Sequence, residues 1–403
     1  MRPLAAGAAV LGCLAAAALL LYLAPGDDGD GTPRAAGPPP RFAQPACLPG
    51  AEIATAAEEV REAIAEGDDV CVTAPVGDVD LTELGRPDNP HVGTRGEGSL
   101  GHIDLKDTEN VTLRARFRST RLSFSHDVTI ESSVIGGTAK RRIPDQLIFM
   151  PDVNDDVTIE GNDIGWTVAD DSGNTGYGCR CYGELNRLRF LGNRLHDLAA
   201  DGFQGVGGVD VLIDRNEIGP VGVSPGSSEH SDNIQITGNG PNLRITNNWI
   251  HGQGYFGGRP AANAGSTYIH GGGTAPLLYA NNLIEGNLGR TEVCGLGTGG
   301  DSRSRTTIRN NTWVDGGQAF EAFPSFEWDC DAGKGNRVEG NIAIDPDGGF
   351  ALGGSPQAAT FADNIWGPPG DVTLDDRGNC TSTNCNPAGQ PPIGYRKPPG
   401  VPW

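Results

Sequence analysis

The stretch Ile159-Glu-Gly-Asn162-Asp-Ile decides the fold, because variants of it recur along the rest of the chain. Each copy has an apolar residue, two variable residues, an asparagine, one variable residue and a second apolar residue. The asparagines of the eight copies are Asn162, Asn193, Asn216, Asn248, Asn282, Asn311, Asn341 and Asn364. Repetition with a period of roughly 20–50 residues is typical of a solenoid, and every interval between these asparagines falls within that range.

The repeated unit predicts two strands joined by a sharp bend. Asparagine tolerates the left-handed backbone conformation that such a bend needs. Its side-chain amide is also able to bond to the asparagine of the next coil, as polar ladders do in stacked sheets. We therefore expect a ladder of asparagines running through a stack of coils.

The composition suits thin coils better than a wide globular core. The chain has 403 residues, of which 61 are glycine, and aromatic residues make up 6%. The formal net charge of −21 argues against a nucleic-acid partner, because phosphate binding needs an excess of Lys and Arg. This charge has two interpretations, a soluble and self-repelling surface or a supply of carboxylate ligands for calcium.

The hydrophobicity of residues 1–24 indicates a segment that directs export from the cytoplasm. They contain an apolar run, Leu4–Ala24, that follows Arg2 and is long enough to cross a bilayer. The run is either a cleaved signal peptide or a membrane anchor, and residues 25–45 form a flexible Pro/Gly-rich linker. We expect the protein at the cell surface or outside the cell, as a monomer.

The cysteines predict disulfides. Of nine cysteines, Cys13 lies in the apolar run, and the other eight form an even set. Proximity in the sequence favours the pairs Cys47–Cys71 and Cys380–Cys385. For the remaining four, two alternatives stay open: Cys294–Cys330 together with a short Cys179–Cys181 bridge, or a cross-pairing among them.

A helix is predicted before the first coil. Ile53, Val60 and Ile64 lie on one helical stripe between about Ala51 and Glu66. Such a helix would cover the open end of the solenoid. The β-helix domain with this cap is expected at residues 46–366, and a Pro-rich tail follows at residues 367–403.

Over about residues 50–366 the chain resembles a known group of proteins, because each predicted coil has a strand, an Asn bend and a second strand, and a capping helix precedes the coils. The group is the right-handed parallel β-helix proteins of the pectate-lyase-like superfamily. The resemblance implies an all-β fold, a right-handed parallel β-helix with an N-terminal capping α-helix. That superfamily holds polysaccharide lyases, glycoside hydrolases, epimerases and non-catalytic surface proteins, so the resemblance implies a polysaccharide partner without selecting a reaction.

The pattern Asp-x-apolar-Gln occurs at nearly the same register on two consecutive coils. Asp201-Gly-Phe-Gln204 precedes Asn216 by almost the same interval as Asp232-Asn-Ile-Gln235 precedes Asn248. Stacked strands lie about 4.8 Å apart, so the two aspartates should be neighbours that need a cation, a shared proton or an arginine. The alternative is structural, with each aspartate capping the turn before its strand.

The residues around Asp232 favour a functional site. The segment Glu229-His-Ser-Asp-Asn-Ile-Gln235 resembles the His-x-Asp-x-Ile-Gln phrases of secreted β-helix proteins assigned to polysaccharide breakdown. Insertions at residues 166–177, 220–228, 252–266 and 286–292 are expected to wall a groove over this strand stack. The expected catalytic residues are His230, Asp232 and Asp201; the expected calcium ligands are Asp201, Asp232 and Glu229; the expected substrate-binding residues are Gln204, Asn233, Gln235, Tyr255, Arg259 and His270.

Three hypotheses of function follow. The first is a lyase that cleaves an acidic glycan by β-elimination, with calcium against the uronate carboxylate and His230 as the base. The second is a glycoside hydrolase that uses Asp201 and Asp232 as its acid–base pair. The third is a cell-surface glycan-binding or structural protein without turnover.

Overall fold

The computed structural model describes residues 45–84, 88–169, 176–223, 231–238, 240–252, 255–256, 259–260, 267–270, 276–285, 291–295, 305–314, 335–344, 360–367, 372–375, 379–382, 385 and 393–399. Almost all strand pairs in these ranges are parallel, and each strand pairs with the equivalent strand of the next coil. The strands form three stacks, each on its own face of the solenoid. The prediction of a right-handed parallel β-helix is confirmed.

The first stack holds the strands that precede the repeated asparagine, in a sheet of 15 strands. Its main row is β1 (Glu52–Ala54), β2 (Val70–Val72), β4 (His91–Thr94), β6 (Glu109–Arg114), β8 (His126–Glu131), β12 (Thr158–Glu160), β16 (Arg189–Leu191), β19 (Leu212–Asp214), β22 (Leu243–Thr246), β27 (Leu277–Ala280), β30 (Thr306–Arg309), β32 (Arg337–Glu339) and β34 (Thr360–Ala362). Two short strands beside this row are β11 (Asn154–Asp155) and β15 (Leu185–Asn186).

The second stack holds the strands that follow the asparagine: β9 (Val134–Gly136), β13 (Asp163–Gly165), β17 (Arg194–His196), β20 (Glu217–Ile218), β23 (Trp249–His251), β28 (Leu283–Glu285), β31 (Thr312–Val314), β33 (Ile342–Ile344) and β35 (Ile365–Gly367). The third stack completes each coil: β3 (Val79–Asp80), β5 (Leu100–Lys106), β7 (Arg116–Ser123), β10 (Ile148–Met150), β14 (Cys179–Cys181), β18 (Phe203–Val206), β21 (Ile234–Thr237), β26 (Thr267–His270) and β29 (Thr291–Gly295). The long strand β7 pairs with both β9 and β10, which joins the two stacks into one sheet of 18 strands. A separate antiparallel pair is β24 (Tyr255–Phe256) with β25 (Arg259–Pro260).

The predicted asparagine ladder is present and buried. The side-chain oxygen of Asn193 accepts hydrogen bonds from the backbone N–H and the Nδ2 group of Asn162, at 3.0 and 2.9 Å. Its own Nδ2 donates to the carbonyl of Ile159 at 2.8 Å. The same set of bonds repeats from coil to coil as far as Asn364. The ladder thus satisfies backbone groups that the bend would otherwise leave buried without partners.

The left-handed residue of the bend is not the one we predicted. It is the residue before the ladder asparagine, with φ of 65° at Gly161, 57° at Arg215 and 59° at Asn247. The expectation that the ladder asparagine itself adopts this conformation is wrong. The ladder position selects for the amide group, and the bend position before it accepts several residue types.

The N-terminal helix α1 (Ala57–Glu66) is shorter than predicted. The carboxylate of Glu59 accepts the backbone N–H groups of Thr55 and Ala56, and Gly67 ends the helix in a left-handed conformation. Val60 and Ile64 are buried as expected, whereas Ile53 lies in β1 and is 58% exposed. The helix contacts the first strands of the solenoid, as a cap would.

Two of the predicted disulfides are confirmed, Cys47–Cys71 and Cys380–Cys385. Cys179 and Cys181 are free, buried thiols, so both alternatives that placed them in disulfides are wrong. They occupy alternate positions of β14 and both face the core. The side chain of Cys294 and all of Cys330 lie outside the described residues.

Part of the C-terminal tail lies against the coils. The N–H groups of Gly394, Tyr395 and Arg396 donate to three successive coils, at the Gly340 carbonyl, the Thr312 hydroxyl and the Asn281 side chain. In the part of the chain that the structure describes, no helix is long and apolar enough to span a membrane. The predicted segment 1–24 lies outside that part, as does the predicted linker 25–45 except for its last residue.

Candidate functional site

The outer face of the third stack carries a polar row that crosses four coils. Arg180, Gln204, Gln235 and Tyr268 are register partners on β14, β18, β21 and β26. Their neighbours Phe203 and Ile234 are buried in the core, so alternation places the row on the outside. Three steps of about 4.8 Å give the row a length of about 14 Å. We call these four residues the Arg–Gln row.

Hydrogen bonds connect the row from coil to coil. The Nε group of Arg180 donates to Oε1 of Gln204 at 3.1 Å. The Nε2 group of Gln204 in turn donates to Oε1 of Gln235. Both predicted glutamines face outward, as expected, and the bond from Gln204 fixes the orientation of the Gln235 amide.

Two tyrosine rings hold the guanidinium of Arg180. Its central carbon lies 4.3 Å from the ring centre of Tyr177 and 4.4 Å from that of Tyr182. The guanidinium also donates to the hydroxyl of Tyr182. These contacts leave Arg180 only 7% exposed, while Tyr182 is 44% exposed. Cation–π contacts of this kind contribute about 0.5–2 kcal/mol each, so the row begins with a positionally fixed positive charge.

Asp201 and Asp232 are neighbours on consecutive coils, as their register predicts. The backbone N–H of Asp232 donates to Oδ1 of Asp201 at 2.8 Å. The two residues are 1% and 0% exposed. This bond is the one expected of an aspartate that caps the turn before a strand. The contact thus agrees with the structural alternative for Asp201.

The calcium site stays a prediction. Calcium takes six to eight oxygen ligands, and one oxygen of Asp201 is already bonded to a backbone N–H. Among the described residues, no three His, Cys, Asp or Glu side chains gather where a metal ion would bind. The third predicted ligand, Glu229, lies outside the described residues.

The predicted role of Asn233 is wrong in its geometry. Its side chain is fully buried instead of facing outward with Gln235. The Nδ2 group donates to the backbone carbonyls of Ile218 at 2.9 Å and His251 at 3.2 Å. Asn233 therefore fixes the turn between the second and third stacks and is not available to a substrate.

Several other predicted residues are not fully described. His230 and Glu229 lie outside the described residues, as do large parts of the four predicted loop walls. Tyr255 and Arg259 belong to the antiparallel pair β24–β25, and His270 lies in β26, in register with Thr237. Nothing is described of the side chains of these three residues.

The sequence interpretation missed Arg180 and its two tyrosines. Arg180 precedes Asn193 by the same interval as Gln235 precedes Asn248, so the register alone places both in one row. In the sequence, the two cysteines that flank Arg180 suggest disulfide or metal chemistry instead. Burial raises the pKa of the Cys181 thiol, and the hydrogen bond with the Cys179 thiol raises it further. Both effects favour the protonated thiol.

Comparisons with known proteins concern the fold. No family model matches the chain, and no curated protein is significantly similar to it. A solved rhamnogalacturonan lyase is 12% identical with a TM-score of 0.40, over 81% of this chain and 90% of that one. The PL6-family alginate lyase AlyGC is 13% identical with a TM-score of 0.43, over 87% of this chain and 57% of that one. The Dettilon tailspike protein is 15% identical with a TM-score of 0.29, over 79% of this chain and 70% of that one.

The pairing of the strands sets the class of protein. The chain is a right-handed parallel β-helix protein, because its strands pair in parallel with the equivalent strands of the next coil. Its activity has to be argued from the side chains on the outer faces of the coils.

Proposed function

We propose that the protein binds an acidic polysaccharide along the third stack and cleaves it by β-elimination. The observation that carries the proposal is the Arg–Gln row, in which a fixed guanidinium is followed by two outward amides. Amides bind sugar hydroxyls, and exposed tyrosine rings pack against sugar rings. A guanidinium pairs with a carboxylate through two parallel hydrogen bonds.

The reaction asks three things of the site. The uronate carboxylate must be neutralised, so that the proton on the neighbouring carbon becomes acidic. We propose Arg180 for this role. A base then removes that proton, a carbon–carbon double bond forms, and the bond to the glycosidic oxygen breaks as that oxygen takes up a proton. We propose His230 as the base, because it precedes Asp232 by two residues in the sequence and an imidazole has a suitable pKa.

Calcium remains a separate part of the proposal. A calcium ion would need Glu229 in addition to Asp201 and Asp232, and we assign no step of the reaction to it. The hydrolase alternative requires Asp201 and Asp232 to reach the glycosidic oxygen, but they are 1% and 0% exposed. The burial of the two aspartates therefore argues against hydrolysis by this pair.

We also propose that the chain is exported. The disulfides Cys47–Cys71 and Cys380–Cys385 suit an oxidising compartment, where polysaccharide substrates of this kind are found. The apolar segment 4–24 would direct the export.

The variant Gln204→Glu tests the proposal. A glutamate still accepts the bond from Arg180, and the Gln235 amide is able to flip and donate to it, so the fold should persist. The new negative charge would both neutralise Arg180 and repel a uronate. The control Arg187→Ala changes the net charge by the same amount at an exposed ion pair near the first stack.

The assay follows the ultraviolet absorbance of unsaturated uronates and the number of reducing ends, on polyuronates and neutral polysaccharides, with and without chelator. We expect absorbance to rise with the wild type and Arg187→Ala, and not with Gln204→Glu. Reducing ends without absorbance would indicate a hydrolase. Binding without either signal would indicate a surface protein without turnover.

A further inference from the structure

A cleft of about 900 Å³ lies over the second stack, away from the Arg–Gln row. Its lining includes Arg116, Arg118, Arg141, Trp166 and His196. The volume is in the range of sites that hold a small ligand. The sequence analysis assigned no ligand to this cleft.

Glycines form the floor of the cleft. Gly136 and Gly165 are register partners on β9 and β13, and the next residue in this row is His196 on β17. A Cβ atom on Gly136 would lie 2.0 Å from the Gly165 carbonyl oxygen, and one on Gly165 would lie 2.4 Å from that of His196. Two consecutive coils therefore carry no side chain in this row, and the His196 ring of the third coil lies 2.8 Å from the Cβ position of Gly165.

Trp166 forms one wall in an unusual backbone conformation. Its φ is 64°, which a bulky residue rarely adopts. Its ring meets the His196 ring edge-on at 5.1 Å, and the guanidinium of Arg142 lies 5.4 Å from its centre. A glycine would adopt this conformation without strain, so the tryptophan at this position costs backbone conformational energy.

Hydrogen bonds fix the groups behind the ring. His196 is 4% exposed, and its two ring nitrogens are each 3.0 Å from a carboxylate, Asp197 at Nδ1 and Asp163 at Nε2. Arg142 donates to Oδ1 of Asp197 at 3.0 Å. The ring of Trp166 thus rests on a network whose charges are already paired.

Two arginines of the cleft form no ion pair within the part of the chain that the structure describes. Arg118 is paired with Asp145 at 2.8 Å. The exposed side chains of Arg116 and Arg141 have no carboxylate partner among the described residues, although the chain carries a net charge of −21. The carboxylate of Asp78, which also lines the cleft, accepts a backbone N–H instead. On a strongly acidic protein, unpaired arginines over a glycine floor and beside an aromatic ring indicate a site for an anion.

We propose that this cleft is a second carbohydrate site, which binds a carboxylated sugar with its ring against Trp166 and its carboxylate between Arg116 and Arg141. The ligand class, an acidic sugar, rests on the proposed function, but the site itself is separate. It would hold a polysaccharide chain on a different face of the solenoid from the Arg–Gln row, on coils that extend to the first two of that row. Aromatic stacking together with a paired carboxylate selects an acidic sugar over a neutral one.

Calorimetric titration of the full protein with a galacturonate and a guluronate trisaccharide tests the site, with a neutral trisaccharide for comparison. We expect Arg116→Ala/Arg141→Ala to weaken binding at one site by about tenfold or more. Trp166→Gly, which suits the backbone conformation, should weaken the same site. The matched control Arg95→Ala/Arg309→Ala removes two exposed positive charges elsewhere and should leave binding unchanged.

The variants separate this inference from the proposed function. Gln204→Glu should remove binding at the third stack only, so loss there with binding retained at the cleft supports two sites. If Arg116→Ala/Arg141→Ala and its control have equal effects, the attraction is not specific and the inference is overturned. It is also overturned if the neutral trisaccharide binds as tightly as the acidic ones, or if Trp166→Gly has no effect.

Discussion

Removal of one ladder asparagine should destabilise the solenoid far more than removal of the residue beside it. The most informative pair is Asn311→Ala and Asn310→Gly. Asn311 is fully buried in the ladder. Asn310 is the left-handed residue of the same bend, with φ of 54°, and its side chain makes no hydrogen bond within the described residues.

The magnitude follows from the bonds of Asn311. Its Oδ1 accepts from the backbone N–H and Nδ2 of Asn282 at 2.9 and 3.0 Å. Its Nδ2 donates to the Tyr279 carbonyl at 3.1 Å and to Oδ1 of Asn341 at 3.0 Å. Four bonds at about 1 kcal/mol each give about 4 kcal/mol, and a water molecule that entered the space would reduce the loss to about 2 kcal/mol. Asn310→Gly keeps the backbone conformation and should change stability by less than about 1 kcal/mol.

Urea denaturation, followed by circular dichroism, measures both variants against the wild type. Solenoids need not unfold in one step, so the midpoint of the first transition and its slope are both compared. We expect a clearly lower midpoint for Asn311→Ala at unchanged slope. A loss below about 1 kcal/mol for Asn311→Ala, or an equal loss for Asn310→Gly, would refute the view that buried amides hold the coils together.

Three further predictions concern the second and third stacks. Burial lowers the pKa of His196, but its bonds to Asp163 and Asp197 more than compensate and hold that pKa above 6.5. The stability that His196 contributes is therefore fully present below its unfolded pKa and is lost as pH rises through its folded pKa. Urea midpoints measured across this pH range should fall accordingly. Asp163→Asn should make the urea midpoint less dependent on pH. Gly165→Ala should lower the melting temperature, because its Cβ would lie 2.4 Å from the His196 carbonyl oxygen. Gly161→Ala has open space around its Cβ, so only the strain of alanine at a φ of 65° should lower its melting temperature. Asp201→Asn keeps an oxygen that accepts the Asp232 N–H. If Asp201 is only a turn cap, the variant should keep both its melting temperature and its cleavage activity. A loss of cleavage at an unchanged melting temperature would instead support a catalytic role for Asp201.

The fold was predictable because one physical requirement recurs in every coil. A buried amide must bond to the amides above and below it, so asparagine is kept at the ladder position and its period is visible. The bend residue before it was misassigned because Gly161, Arg215 and Asn247 all meet its backbone requirement. A position filled by several residue types leaves no pattern to read.

The site was only partly predictable, for a related reason. The shared Asp-x-apolar-Gln pattern placed Asp201 beside Asp232, and Gln204 beside Gln235. It did not show that the Asp201 carboxylate is bonded to the backbone, since a turn cap and an exposed acid have the same sequence. Arg180 was missed because its strand carries a different motif, although it has the same register.

The electrostatics of the chain explain why a few arginines matter so much. A net charge of −21 repels an acidic polymer at long range. At physiological salt the screening length is about 8 Å, so most of that repulsion is removed before contact. The electrostatic interaction that remains is short-range, and its sign depends on which charged groups of the protein face the polymer. We propose that Arg180 between its two tyrosines, and Arg116 and Arg141 beside a glycine floor, supply this short-range attraction. An acidic β-helix is therefore able to bind an acidic glycan wherever its coils place such an arginine on an outer face.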